Sequence, residues 1–194
     1  MTTPSAWVTR WALLIRPGGT VLDVAAGSGR HSRWLASRGF AVVAVDRDAT
    51  ALASLPEAVD TRVADLEQAP WPFPGRTFDA VVVTNYLWRP LFGDLVDAVA
   101  PGGVLIYETF AAGQESVGRP SRADFLLAAG ELTSRVEGLR IVAFEDGFLT
   151  PPDRFVQRIV AVRPAAEAPL PRFLLDGPSV PTRSLESTGS GPSE

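Results

Sequence analysis

The sequence predicts an α/β protein: a doubly wound, mostly parallel seven-stranded sheet with helices on both faces and a C-terminal antiparallel hairpin. Three observations predict it. The valine-rich runs at 20–25, 40–45 and 78–83 have the apolar character of strands buried on both faces. Segments of helical length lie between the strands, and strand–helix alternation implies parallel neighbours. Near the carboxyl end, the strand-like runs 139–148 and 155–163 are joined by Thr150-Pro-Pro-Asp153, a link so short that they must pair antiparallel.

Residues 4–15 read as an amphipathic helix covering the core or a pocket, with Thr3 as its cap and Pro4 in its first turn. Trp7, Trp11 and Leu14 share one side of it. Pro17-Gly18-Gly19 leads into the first strand, which runs into the small-residue turn Ala25-Ala-Gly-Ser-Gly29. A helix over Arg30–Ser37 follows, stopped by Gly39. The second strand ends on Asp46, Asp48 caps a short helix over 49–55, and a brief strand at 61–64 ends on Asp65-Leu66. A proline-rich connection, 69–75, precedes the fourth strand, which ends on Thr84-Asn-Tyr86. Next come a helix over 91–100, the turn Pro101-Gly-Gly103 and a fifth strand, 104–108. Ser121 caps a helix through Phe125, Leu126 and Leu127, and another short helix follows Gly130. Residues 1–163 thus form one domain. Residues 164–194, rich in Pro, Ser and Gly, are expected to be a largely disordered tail in which Phe173-Leu-Leu175 can dock.

Composition removes several functions. No cysteine is present, which excludes disulfides, thiolate metal sites and cysteine nucleophiles. The single histidine, His31, rules out a histidine-rich metal cluster, and no metal is expected. Every basic residue is arginine, so no lysine Schiff base can form. A net charge of −4 with both signs scattered lacks the basic stripe that a nucleic-acid backbone requires. No apolar run approaches the roughly 20 residues of a membrane span. The stretch around Trp7, Arg10 and Trp11 is unlike a secretory leader, so a cytoplasmic protein is expected.

Ligands of open α/β sheets bind outside the carboxyl ends of the strands. Carboxylates stand near three of the first four such ends. Asp46, 17 residues past Gly29, suits a ribose diol, because an ionised carboxylate accepts from two adjacent hydroxyls. Asp65 suits an exocyclic amine such as that of adenine, and Asp23 an ammonium group, directly or through water. Taken singly, the glycines read equally well as turn residues and the acids as helix caps. Their joint order points to a nucleotide.

The segments Val21-Leu-Asp-Val-Ala-Ala-Gly-Ser-Gly29, Val45-Asp46, Ala64-Asp65-Leu66, Phe78-Asp-Ala-Val-Val-Val-Thr-Asn85 and Pro101-Gly-Gly103 occur in that order before the terminal hairpin. In this the chain resembles the class I S-adenosylmethionine-dependent methyltransferases, a Rossmann-like family, over roughly residues 17–163. Gly-Arg-His-Ser followed by Trp-Leu-Ala-x-x-Gly-Phe is most similar to small bacterial tellurite-resistance-type methyltransferases. The pattern departs at Ala25, where the family begins its glycine triplet.

The resemblance implies S-adenosylmethionine as cofactor and S-adenosylhomocysteine as product. It implies Ala25, Gly27 and Gly29 against the methionine part, Asp23 near the amino group and Arg30 at the carboxylate. Asp46, with Arg47 beside it, would hold the ribose, Asp65 and the Leu66 backbone the adenine. Asn85 would face the methionine end or the acceptor. The lack of a separate substrate domain favours a small-molecule methyl acceptor. Tyr86, Trp88, Phe92 and Phe110 would form its aromatic pocket, and Arg89 and Arg119 would bind an anionic group. Tyr86, Glu108 and His31 are the catalytic candidates for an acceptor that must lose a proton, with His31 better suited to positioning. Two alternatives remain. Gly27-Ser-Gly-Arg-His-Ser32 nearly fits the NAD(P)-dependent oxidoreductase pattern, against which stand Asp23, the Pro-Gly-Gly turn and the hairpin. The other is a non-catalytic S-adenosylmethionine-binding module.

Overall fold

The computed structural model describes residues 3–165, 172, 173 and 175. The disordered tail expected over 164–194 therefore lies almost wholly outside the described residues. Seven strands form one sheet: β1 (Thr20–Val24), β2 (Ala41–Asp46), β3 (Val59–Val63), β4 (Phe78–Thr84), β5 (Val99–Phe110), β6 (Arg140–Leu149) and β7 (Arg154–Val162). Their order is β3-β2-β1-β4-β5-β7-β6. The first five strands pair parallel, and β7 lies antiparallel between β5 and β6.

The side chains of each strand alternate between two apolar layers. Val42 and Ala44, Ala80 and Val82, and Val104 and Ile106 meet α1 (Ala6–Trp11), α2 (Arg30–Ser37) and α3 (Ala49–Ala53) through Trp7, Trp11, Leu35 and Leu52. Val43 and Val45, Val81 and Val83, and Leu105 and Tyr107 meet α4 (Phe92–Asp97) and α5 (Glu131–Arg135) through Phe92, Leu95 and Leu132. Covering both faces demands an apolar residue at nearly every central position, which is why these strands read as unbroken runs. No described helix is long and apolar enough to cross a membrane.

Several elements differ from the sequence expectation. The first helix is α1 followed by a single 3-10 turn, Ala12–Leu14. Its cap is Ser5, not Thr3: Ser5 Oγ accepts from the Trp7 N–H at 3.1 Å. The fifth strand begins at Val99 because Pro101-Gly102-Gly103 is an irregularity inside it; the β4–β5 register shifts between Phe78 and Ala80. A Cβ on Gly103 would lie 2.8 Å from the Ala100 carbonyl oxygen, so only glycine fits. The helix expected from Ser121 is one 3-10 turn, Ala123–Phe125. Leu127 is instead drawn alongside the end of β5, where its N–H donates to the Phe110 carbonyl and its carbonyl accepts from Ala112. In the described part of the tail, Phe173 is half-buried against the first of the two layers, and its ring lies 5.4 Å from the Arg140 guanidinium carbon.

Candidate active site

The carboxyl ends of β1, β2, β3 and β4 surround a cavity of about 370 Å³ lined by Ala25, Gly27, Asp46, Arg47, Asp48, Ala64, Asp65, Leu66, Glu67 and Tyr86. After β1 the backbone turns through left-handed conformations at Ala25 (φ 52°), Gly27 (φ 54°) and Gly29 (φ 69°). A Cβ on Gly27 would meet no atom within 4 Å, so that residue borders open space. A Cβ on Gly29 would run into the Leu55 side chain. Asp46 is fixed by two backbone donors: the Gly27 N–H reaches Oδ2 at 2.8 Å and the Asp48 N–H reaches Oδ1 at 2.9 Å. Each oxygen keeps acceptor capacity for a ligand. Asp65 Oδ1 accepts from the Glu67 N–H at 2.9 Å. Asp48 caps α3 through the Thr50 and Ala51 N–H groups.

Asp23 does not line this cavity. Its carboxylate is buried, and Oδ2 accepts at 2.5 Å from Ser32 Oγ in the first turn of α2. Burial pushes its pKa up to about 6, although Ser32 and the nearby Arg30 guanidinium oppose the shift. Arg30 makes no hydrogen bond or ion pair among the described residues. It lines a second cavity, of about 590 Å³, with Thr3, Pro4, Ser28, Arg33, Trp34 and Ser54. Arg33 is already engaged by the carbonyl and hydroxyl oxygens of Ser54.

Two catalytic candidates, His31 and Glu108, belong to a buried polar junction beneath the N-terminal segment. The Ser5 N–H donates to His31 Nε2 at 3.1 Å, and Ser5 Oγ donates to Glu108 Oε1 at 2.9 Å. Because Nε2 accepts, the imidazole proton resides on Nδ1, 3.3 Å from Thr84 Oγ1. Burial, aided by Arg30, lowers the His31 pKa to about 4, so the ring is neutral with both nitrogens occupied. Glu108 is completed by Arg158 Nη1 at 3.5 Å, whose guanidinium carbon also lies 4.7 Å from the Trp7 ring centroid. Neither side chain is free to take a proton from a ligand.

Known proteins share this architecture. Residues 21–103 match the family model described as a methyltransferase domain. TehB from Haemophilus influenzae superposes with a TM-score of 0.71 at 19% identity, over 84% of this chain and 63% of that one. The chain thus spans less than two thirds of the TehB length. The chain has the methyltransferase fold. A TehB-like S-adenosylmethionine-dependent methyltransferase from Corynebacterium glutamicum gives 0.61 at 17% identity, over 81% of this chain and 86% of that one. The glycopeptide N-methyltransferase MtfA, complexed with S-adenosylhomocysteine, gives 0.61 at 16% identity over 84% and 91%. No curated protein matches the sequence.

Around the methyltransferase fold, the acceptor side departs most from expectation. Phe92 is a core residue stacked on Tyr107, with ring centroids 5.4 Å apart, and is not a pocket wall. Arg89 is tied down: Nε and Nη2 grip Glu131 at 2.8 Å each, and Nη1 and Nη2 reach the Asp124 and Leu126 carbonyls at 2.9 Å. It clamps the 124–131 segment with four of its five N–H donors, so its charge is already committed to Glu131. Trp88 is half-buried against the same core as Phe92, Phe110 ends β5 half-buried, and Arg119 is exposed. Asn85 is exposed in a left-handed conformation (φ 53°), held by its N–H to the Glu108 carbonyl at 2.9 Å. Tyr86 stands with Asp46 and Asp65, and burial followed by the Glu67 carboxylate pushes its pKa above the ordinary tyrosine value. Sequence reasoning missed Ser5, whose two contacts span 26 and 103 residues; no local signal announces them.

Proposed function

We propose that this chain is an S-adenosylmethionine-dependent methyltransferase with a small-molecule acceptor, residues 1–163 being its catalytic domain. The observation that carries the reading is the meeting of Asp46, Asp65 and Leu66 with the glycine turn around one cavity. S-adenosylmethionine supplies an electrophilic methyl group when bound. Asp46, pre-aligned by two backbone N–H groups, accepts from the ribose hydroxyls. Asp65 takes the adenine amine and the Leu66 backbone its ring edge. The methionine part passes along Ala25, Gly27 and Gly29, where Gly27 leaves the space open. Arg30 pairs with the carboxylate, favoured there by the start of α2. Asp23 acts at one remove, fixing the first turn of α2 through Ser32.

With His31 neutral and bonded at both nitrogens, and Glu108 tied to Ser5, these two leave the list of general bases. The work left to the protein is orientation and exclusion of water, and orientation is worth roughly 7–11 kcal/mol in favourable cases. Asn85, at the exposed end of β4, is the group placed to meet the acceptor. The same engaged bases suit a non-catalytic S-adenosylmethionine-binding module, and one experiment separates the two. Incubation with S-adenosylmethionine labelled in its methyl group and a broad panel of small acceptors should move label into a small product and release S-adenosylhomocysteine in equal amount. Binding without label transfer to any acceptor would favour the module.

A further inference from the structure

Tyr86 carries a polar atom that the fold covers and leaves unbonded. It follows β4 directly, and its carbonyl is fixed by the Tyr107 hydroxyl at 2.7 Å. Its own hydroxyl is buried and has no hydrogen-bond partner, although the ring lines the cavity that holds Asp46, Asp65 and Glu67. Such an atom costs stability unless something is meant to satisfy it. The three neighbouring carboxylates accept hydrogen bonds and cannot donate them, whereas the ring nitrogens of adenine and the ribose ring oxygen need donors. Burial and the carboxylates keep the phenol protonated, so it is a permanent donor.

We propose that Tyr86 is a cofactor-binding residue whose hydroxyl donates to the adenosine part of the ligand once it enters between Asp46 and Asp65. The inference rests on reading this cavity as the S-adenosylmethionine site. It replaces the role of proton acceptor that the sequence suggested for Tyr86 with that of a fixed donor.

The test is Tyr86→Phe in the full chain, with calorimetric titration of S-adenosylhomocysteine and of adenosine, and thermal unfolding without ligand. Affinity for both ligands should fall about three- to tenfold, the range of one ordinary hydrogen bond. The ligand-free variant should unfold at or above the wild-type temperature, because the unsatisfied hydroxyl is gone. Unchanged affinity overturns the proposal, as does a loss confined to S-adenosylhomocysteine. A loss accompanied by a lower unfolding temperature also overturns it, since a structural hydroxyl would produce both. Wild-type protein that binds neither ligand overturns the reading of the cavity, and the inference with it.

Discussion

Asp23, in β1 and bonded to Ser32 of α2, and His31, in the first turn of α2, are shifted in opposite senses. The His31 pKa falls from 6.5 to about 4, so the unfolded chain takes up a proton that the fold refuses. Its contribution is complete above pH 6.5 and is lost as pH falls toward 4, by about 3 kcal/mol. The Asp23 pKa rises from 3.8 to about 6, so here the fold holds a proton that the unfolded chain has released. Its contribution is complete below pH 3.8 and is lost as pH rises toward 6, again by about 3 kcal/mol. Across pH 4–6 the two slopes nearly offset each other. Glu131, held down to about 2 chiefly by Arg89, acts at lower pH. Urea midpoints measured from pH 4 to 6.5 should therefore show Asp23→Asn losing stability steeply toward acid. His31→Gln should show the reverse slope. Parallel profiles for the two variants would contradict the assigned protonation states. Asp23 looked from sequence like a ligand for an ammonium group. In the fold its carboxylate is buried and accepts from Ser32, nine residues on in the first turn of α2.

At the scale of elements, the N-terminal segment is a strap fastened at Ser5. That residue caps α1, feeds His31 through its N–H and feeds Glu108 through its hydroxyl. Ser5→Ala removes the cap and leaves Glu108 buried beside Arg158 alone. It should cost about 1–3 kcal/mol and speed hydrogen exchange in Ala6–Trp11 more than in α5. Uniform exchange across both helices would deny the strap its fastening. Elements that depend on local composition were legible from sequence: β1, β2 and β4 through unbroken apolar runs, and α2 through its stop at Gly39. Elements settled by distant partners were not. β5 extends back to Val99 because Phe78 and Ala80 pair with it across an irregular turn. The 121–127 helix fails because Leu127 bonds beside Ala111 at the end of β5.

For the whole molecule, sheet order brings the ends of β1, β2, β3 and β4 together, and the site follows from that order. Asp46, Asp65, Leu66 and Gly27 were legible as a set because each closes a strand or turn whose place the alternation of strand and helix dictates. The acceptor side was not, because Phe92 is spent on packing against Tyr107 and Arg89 on clamping Glu131, partners 15 and 42 residues away that no local pattern announces. The central claim is that the strand-end acids bind S-adenosylmethionine. It is met most directly by calorimetric titration of the full chain with S-adenosylhomocysteine and with NAD, using Asp46→Ala as control. The account predicts one-site binding of S-adenosylhomocysteine and none of NAD, with affinity weakened by about 1.5–3 kcal/mol in the variant through lost charged hydrogen bonds. Saturable binding of NAD without S-adenosylhomocysteine, or an Asp46→Ala variant that binds as tightly as wild type, would contradict it.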